Sequence, residues 1–177
     1  MGYTTYFDGQ VTIDPPLNAT EVKYLNMFAD TRRMKRKNGD YYVGGGGFKG
    51  QDHEPDILDY NSPPDEQPSL WCQWVPANVV MDDDDETPIS ANALEWDGGE
   101  KFYNATEWMQ YLIDHFIGEN PLAKLNNPEH FDFLQGHTVN GEIFADGEEP
   151  GDHWKIVVKD NIVKEVQGRV EFDDDDD

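Results

Sequence analysis

The chain has one cysteine, Cys72. No intrachain disulfide can form, and that composition fits a reducing compartment. Cations are scarce: 13 Lys and Arg stand against 37 Asp and Glu, a formal net charge of −24. Such a surface repels nucleic acid and draws basic proteins across a screening length of about 8 Å at physiological salt, so direct nucleic-acid binding is not expected. Acidity serves solubility as readily as it serves a partner, and both uses stay open. No stretch reaches the ~20 apolar residues of a membrane span. The start, MGYTTYFDGQ, has neither the basic region nor the apolar run of a signal peptide. These absences lead to the expectation of a cytoplasmic protein without membrane contact. Phosphate-loop and dinucleotide motifs are missing too. Gly44 to Gly47 and Gly50 form a glycine run with no following Gly-Lys-Ser/Thr and no G-x-G-x-x-G between a strand and a helix.

What is present is organised around Leu94 to Gly118. Trp108, Tyr111, Leu112, His115 and Phe116 recur at helical spacing and predict one buried helix face. Asn104 and Glu107 have the spacing of a capping box, and Gly118 stands where a left-handed residue ends a helix. Before the helix, Leu94 and Trp96 alternate with Glu95 and Asp97 as in a half-buried strand, which Asp97-Gly98-Gly99 breaks. Asn18-Ala19-Thr20-Glu21 repeats the Asn104-Ala105-Thr106-Glu107 signal and predicts an earlier helix to about Asp30.

In chain order, Tyr3 to Ile13 reads as a strand with Phe7, Val11 and Ile13 on one face, Gly9 as a bulge and Pro15-Pro16 as its end. Tyr41 to Val43 predicts a short strand, Leu70 to Val75 a strand buried on both faces, and Asp82 to Glu86 a solvated hairpin loop. A short helix near Leu122, strands over 137–145, 154–159 and 162–170, and a two-residue turn at Asp160-Asn161 complete the body. The expected fold is α+β: a ferredoxin-like β-α-β-β-α-β core extended by two C-terminal antiparallel strands, with helices on one face. Residues 1–172 form a single domain in this reading, and 173–177 an acidic disordered tail.

Two constellations carry chemistry. Arg32, Arg33, Lys35, Arg36 and Lys37 are five of the 13 basic residues, either an anion contact or internal counter-charges for the chain's own carboxylates. Asp52, His53, Glu54, Asp56 and Asp59 lack any diagnostic metal-ligand spacing, and no metal or cofactor is expected. Cys72, with no basic neighbour in sequence, reads as a core residue rather than a nucleophile. The topology gathers the basic segment, the glycine run, Asp52-His53-Glu54 and the 96–103 turn at one end of the sheet. The candidate ligand-binding residues there are Arg32, Arg33, Arg36, His53, Glu54, Asp97, Lys101 and Tyr103, with His53 or Glu54 available as a general base.

The stretches PPLNATEVKYLNMFADTRRMKR, YYVGGGGF, QPSLWCQWVP and EWDGGEKFYNATEWMQYLIDHF resemble a family of small proteins encoded by phages and actinobacterial genomes. That resemblance implies no catalytic residues, and it favours a host-directed or anti-defence role in the host cytoplasm. Two functions are therefore carried forward. One is a non-enzymatic inhibitor of a basic, nucleic-acid-binding or defence protein of the host, acting by charge mimicry through Asp82, Asp83, Asp84, Asp85 and Glu86. The other is a phosphate- or nucleotide-binding domain or enzyme with its site at the basic, glycine-rich end.

Overall fold

A computed structural model describes residues 3–44 and 56–169. Asp52, His53, Glu54, Gly45 to Gly47, Gly50 and the terminal aspartates lie outside the described residues. The fold is mixed α and β, built on an antiparallel sheet with few helices.

Strand β1 (Thr5–Asn18) leads into helix α1 (Ala19–Asp30), and two short strands follow, β2 (Lys35–Arg36) and β3 (Ile57–Asp59). Then come β4 (Trp74–Ala77), β5 (Val80–Met81), β6 (Pro88–Trp96) and helix α2 (Ala105–Leu112), which continues as a π-helical turn, Ile113–Ile117. A short helix, α3 (Leu122–Asn126), precedes β7 (Thr138–Gly147), β8 (His153–Lys159) and β9 (Ile162–Gln167). The main sheet has the order β4-β6-β1-β7-β8-β9, with β5 also paired to β6, and every pairing is antiparallel. β2 and β3 pair separately.

Alternation decides which face of the sheet is covered. Phe7, Val11 and Ile13 of β1, Leu94 of β6, Val139, Ile143 and Ala145 of β7, and Ile156 and Val158 of β8 are buried. They join Phe28, Trp108, Leu112 and Phe116 of the helices in one apolar cluster. α1 and α2 meet through Phe28 and Trp108, whose rings are 5.9 Å apart and nearly perpendicular. The opposite face carries polar ladders, such as Gln10 bonded to Asn78 and Glu95, and Lys155 paired with Glu142 at 3.1 Å.

The helices are also covered on their far side. Residues 31–44 and 56–71 lie over them, joined by polar bonds: Trp108 Nε1 donates to Ser69 Oγ (2.7 Å), Gln67 Nε2 to Tyr111 Oη (2.9 Å), and Tyr24 Oη to the Tyr41 carbonyl (2.6 Å).

Several local expectations are corrected. Pro15-Pro16 does not end β1. The two prolines cannot donate to a ladder, so the β6 register breaks between Thr12 and Leu17, yet pairing resumes at Leu17, which is fully buried. Gly9 makes no bulge, since the β1–β7 register runs unbroken from Thr5 to Asp14. Tyr41 to Val43 is not a strand, and in the 70–75 stretch only Trp74 onward pairs. Asn18 caps α1 as predicted, its side chain accepting from the Glu21 amide while Glu21 bonds back to the Asn18 amide. Asn104 does not: its backbone is left-handed (φ 59°, ψ 43°) and its side chain makes no cap bond. A residue arriving in that conformation aims its side chain away from the first helical amides, and asparagine tolerates it. Gly118 is extended rather than left-handed, because the chain leaves a π turn in which the Gly118 amide reaches the Ile113 carbonyl (2.7 Å). Glycine is required by proximity instead: a Cβ there would stand 2.9 Å from that same oxygen.

The β1–β7 pairing makes a sharper demand at Gly141. Its φ is +146°, and a Cβ would come within 2.9 Å of both the Gln10 oxygen and the Val11 Cα. Gly141→Ala is expected to cost about 2–3 kcal/mol, read as a lowered urea midpoint with an unchanged slope.

Candidate functional site

The β6–α2 turn, residues 97–104, wraps around Gln73. The Asp97 amide donates to the Gln73 carbonyl (3.0 Å), Trp96 Nε1 to Gln73 Oε1 (3.0 Å), and Gln73 Nε2 to the Glu100 carbonyl (3.1 Å). Within the turn the Gly99 amide donates to Asp97 Oδ1 (2.8 Å), while Ser69 Oγ donates to the Tyr103 carbonyl (3.2 Å). Gly98, Lys101 and Asn104 all have positive φ, at 85°, 57° and 59°. Two of the three are not glycine, and left-handed residues that are not glycine are costly unless their surroundings hold them.

Two adjoining hollows result, sharing Trp71 and Gln73 as a common wall. One, about 450 Å³, is bounded by Pro68, Trp71, Gln73, Glu100, Lys101 and Tyr103. The other, about 350 Å³, is bounded by Asp30, Trp71, Cys72, Gln73, Asp97 and Gly99. The Asp97 carboxyl is pushed above the ordinary carboxylate range, by partial desolvation first, against the bond from the Gly99 amide, and then by the nearby charge of Asp30. Cys72 is inert: burial pushes its thiol up to about 12.

Of the expected ligand residues, Asp97, Lys101 and Tyr103 thus line this groove. The three arginines line neither hollow and are engaged internally. Arg32 lies on the Tyr60 ring (4.2 Å) and donates to the Tyr60 carbonyl (3.2 Å). Arg33 is buried over Phe28 (4.1 Å) and donates to the carbonyls of Thr31, Asp40 and Tyr42. Arg36 pairs with Asp56 (3.3 Å) and lies over Tyr42 (4.7 Å), and Lys35 pairs with Asp65 (3.2 Å).

Trp71 and Gln73 were the residues hidden by reading 70–75 as buried on both faces. Their signal was the alternation itself: Cys72 and Trp74 are buried, whereas Trp71 and Gln73 are half-buried.

A second polar constellation lies under the cover formed by residues 31–44 and 56–71. His115 stacks on Tyr111 (3.8 Å between centroids) and accepts from Tyr41 Oη at Nδ1 (2.7 Å). Burial lowers its pKa, against the charges of Asp114 and Asp40, so it is neutral at physiological pH. Burial likewise raises Tyr41 and Tyr111 above the ordinary phenol value, which keeps both as neutral phenols rather than nucleophiles.

The acidic run is the tip of the β5–β6 hairpin. It is tied by bonds from the Asp82 amide to the Thr87 carbonyl (2.8 Å), from the Glu86 amide to the Asp82 carbonyl (3.0 Å) and from the Asp84 amide to Asp82 Oδ1 (2.8 Å). Asp83, Asp84, Asp85 and Glu86 are exposed, and Asp82 is half-buried. Among the described residues no group of three or more His, Cys, Asp or Glu side chains could hold a metal ion, and no helix is long and apolar enough to cross a membrane.

Compared with known protein families, with curated proteins and with solved structures, the chain matches none.

Proposed function

We propose that the protein is a non-enzymatic binding protein for a basic protein partner, an inhibitor that presents carboxylates where that partner holds nucleic acid. The observation carrying this reading is the placement of charge. Arg36, Lys35 and Lys155 are paired with Asp56, Asp65 and Glu142, and Arg33 is buried against backbone carbonyls, so these four cations are turned to the chain's own groups. The ordered hairpin tip meanwhile holds Asp83, Asp84, Asp85 and Glu86 in solvent. Fields of one sign raise association rates and fade with salt.

The proposed setting is the cytoplasm of a phage-infected host. The proposed architecture is one domain over 1–172 with an acidic tail. Its β1-α1-β4-β6-α2-β7 connectivity is read as a ferredoxin-like unit extended by β8 and β9, a reading supported by the order β4-β6-β1-β7 with all pairs antiparallel.

The experiment is a salt titration of binding to a basic nucleic-acid-binding protein. Affinity should fall steeply between 50 and about 300 mM salt. Replacing Asp82 to Asp85 by Asn should weaken it about tenfold and flatten the salt slope. Binding indifferent to salt and to that replacement would sink the reading. The competing small-ligand reading is favoured by one observation, the groove built around Gln73 with Lys101 held left-handed at its rim.

A further inference from the structure

The dipeptide Asn-Gly occurs twice in the chain, at Asn38-Gly39 and at Asn140-Gly141. Asparagine before glycine is the pairing most open to loss of ammonia, because no Cβ obstructs the following amide nitrogen as it closes on the side-chain carbonyl carbon. The fold treats the two copies oppositely. Asn140 and Gly141 lie in β7, in register with Thr12 and Val11 of β1, and Gly141 is also in register with Val158 of β8. The Asn140 side chain accepts from the Asp160 amide (2.8 Å), and the Asn140 carbonyl accepts from Thr12 Oγ1 (3.0 Å). Ring closure there must first break the middle of the sheet. Asn38 and Gly39 instead stand exposed in the turn that follows β2. Gly39 is left-handed (φ 95°), and among the described residues nothing lies within 4 Å of where a Cβ would be. The Gly39 amide donates over a long distance to the Arg36 carbonyl (3.3 Å), and Asn38 Nδ2 donates to Asp56 Oδ2 (3.1 Å). Neither bond holds the turn as a sheet holds Asn140.

We infer that Asn38 is a site of spontaneous deamidation, and that the reaction loosens the Arg36–Asp56 ion pair at the end of the β2–β3 ladder. The Gly39 amide nitrogen gives its proton to solvent base and bonds to Asn38 Cγ. The bond from Cγ to Nδ2 breaks, and that nitrogen takes a solvent proton and leaves as ammonia. Water then opens the cyclic imide at one carbonyl or the other, giving aspartate or isoaspartate at position 38. The consequence follows from what Asn38 touches. Asp56 Oδ2 accepts from both Asn38 Nδ2 and Arg36 Nη1 (3.3 Å), and the Arg36 side chain is buried. Conversion replaces a donor by a second carboxylate at contact distance from Asp56, and two like charges then compete for one guanidinium. Isoaspartate also lengthens the main chain beside Lys37, whose amide donates to the Asp56 carbonyl (2.7 Å). The ion pair joins the two halves of the cover over the helices, so the modification acts on the cover and leaves the main sheet intact. The inference is independent of the basic-partner reading.

The test ages the full-length protein in mildly alkaline buffer and follows both asparagines by peptide mass spectrometry, with released ammonia measured in parallel. Asn38 should convert to a mixture of aspartate and isoaspartate, with ammonia appearing in step. Asn140 should convert more than about a hundredfold more slowly, because its reaction must wait for the β1–β7 pairing to open. In urea, with the chain unfolded, the two rates should converge. Asn38→Gln, whose longer side chain closes a larger ring, should remove the early ammonia. Asn38→Asp should reproduce the change of charge without ageing. In that variant and in the aged protein the Lys37 amide should exchange its hydrogen about tenfold faster, while the amides of β1 and β7 keep their rates. Equal conversion of Asn38 and Asn140 in the folded protein, or conversion of Asn38 in urea but not in the folded chain, would overturn the site. Unchanged exchange at Lys37, both in the aged protein and in Asn38→Asp, would overturn the loosening of the ion pair.

Discussion

Replacing Glu21 by Ala should remove about 3–5 kcal/mol of stability, the penalty for stranding one member of a buried ion pair. Glu21 and His137 are both buried, with His137 Nε2 2.8 Å from Glu21 Oε2. The other ring nitrogen, Nδ1, lies 2.6 Å from the Pro15 carbonyl, which can only accept. Both nitrogens therefore donate, and the ring is an imidazolium. The carboxylate is occupied on every side: it also accepts from the amides of Asn18 (2.9 Å) and Gln135 (3.2 Å). Four chain segments, the end of β1, the start of α1, the 135 turn and the start of β7, thus close on one pair.

Burial alone would lower the His137 pKa, but the bond and charge of Glu21 and the bond to Pro15 outweigh it, and the pKa is raised. The sign follows. A histidine whose folded pKa exceeds its unfolded value of about 6.5 stabilises fully below 6.5, and the stabilisation is lost as pH rises through the folded pKa. His115, whose pKa is lowered, acts on the other side, opposing folding as pH falls below about 6.5. Urea midpoints across pH 5 to 9 should therefore decline on the alkaline side. His137→Gln should abolish that decline, and His115→Gln should relieve only the acid side. A wild-type profile that is flat above pH 6.5 would show that the ring is not charged in the folded protein.

Glu21 also shows how far the chain's local patterns could be followed. Its role as the return partner of the Asn18 cap is written in Asn18-Ala19-Thr20-Glu21, a local signal, and the cap forms. Its bond to His137 spans 116 positions and has no local signature. The identical tetrapeptide at 104–107 carries the same signal without forming the cap, because the turn around Gln73 delivers Asn104 in a left-handed conformation. Tertiary bonds decide between the two copies, and propensity does not.

The same distinction runs through the rest of the molecule. The α1 and α2 faces, the Asp160-Asn161 turn and the strands β7 to β9 follow from periodicity and turn chemistry, and they fall within a few residues of expectation. The cover over the helices was not legible, since its bonds, Gln67 to Tyr111 or Ser69 to Trp108, join side chains about forty positions apart. The basic segment was legible as charge, with its use left open between an external anion and internal partners. Arg32, Lys35 and Arg36 meet Tyr60, Asp65 and Asp56, supplied by a segment at least 20 residues further along. Half of the groove, Asp97, Lys101 and Tyr103, stood out by type and turn position. Trp71 and Gln73 did not, being masked by their buried neighbours Cys72 and Trp74.

Arg33 is where that cover should fail first. Its guanidinium donates to the carbonyls of Thr31 (3.2 Å), Asp40 (3.5 Å) and Tyr42, and lies 4.1 Å from the Phe28 ring centre. Desolvation lowers its pKa to about 10, in spite of the nearby Tyr24 and Tyr111, yet it stays charged at neutral pH. Two effects compete when it becomes Met. Removing a buried cation relieves its desolvation, which favours the variant. Against this, the Thr31 and Tyr42 carbonyls lose their donor, at about 1–3 kcal/mol for each that water does not reach, and the contact with Phe28 loses its cation–π attraction of about 1–2 kcal/mol. The Asp40 carbonyl keeps the donor Gln67 Nε2 (2.7 Å). The losses are more numerous, and Arg33→Met is expected to cost about 2–4 kcal/mol. Arg33→Lys should recover little of it, because a point charge on a flexible stem cannot span carbonyls at positions 31, 40 and 42. Hydrogen exchange separates this from general destabilisation: amides of 39–44 should exchange faster in both variants at denaturant concentrations where those of β1 and β7 do not. Unchanged exchange there, with unchanged stability, would mean that the three carbonyls are held by something other than the guanidinium.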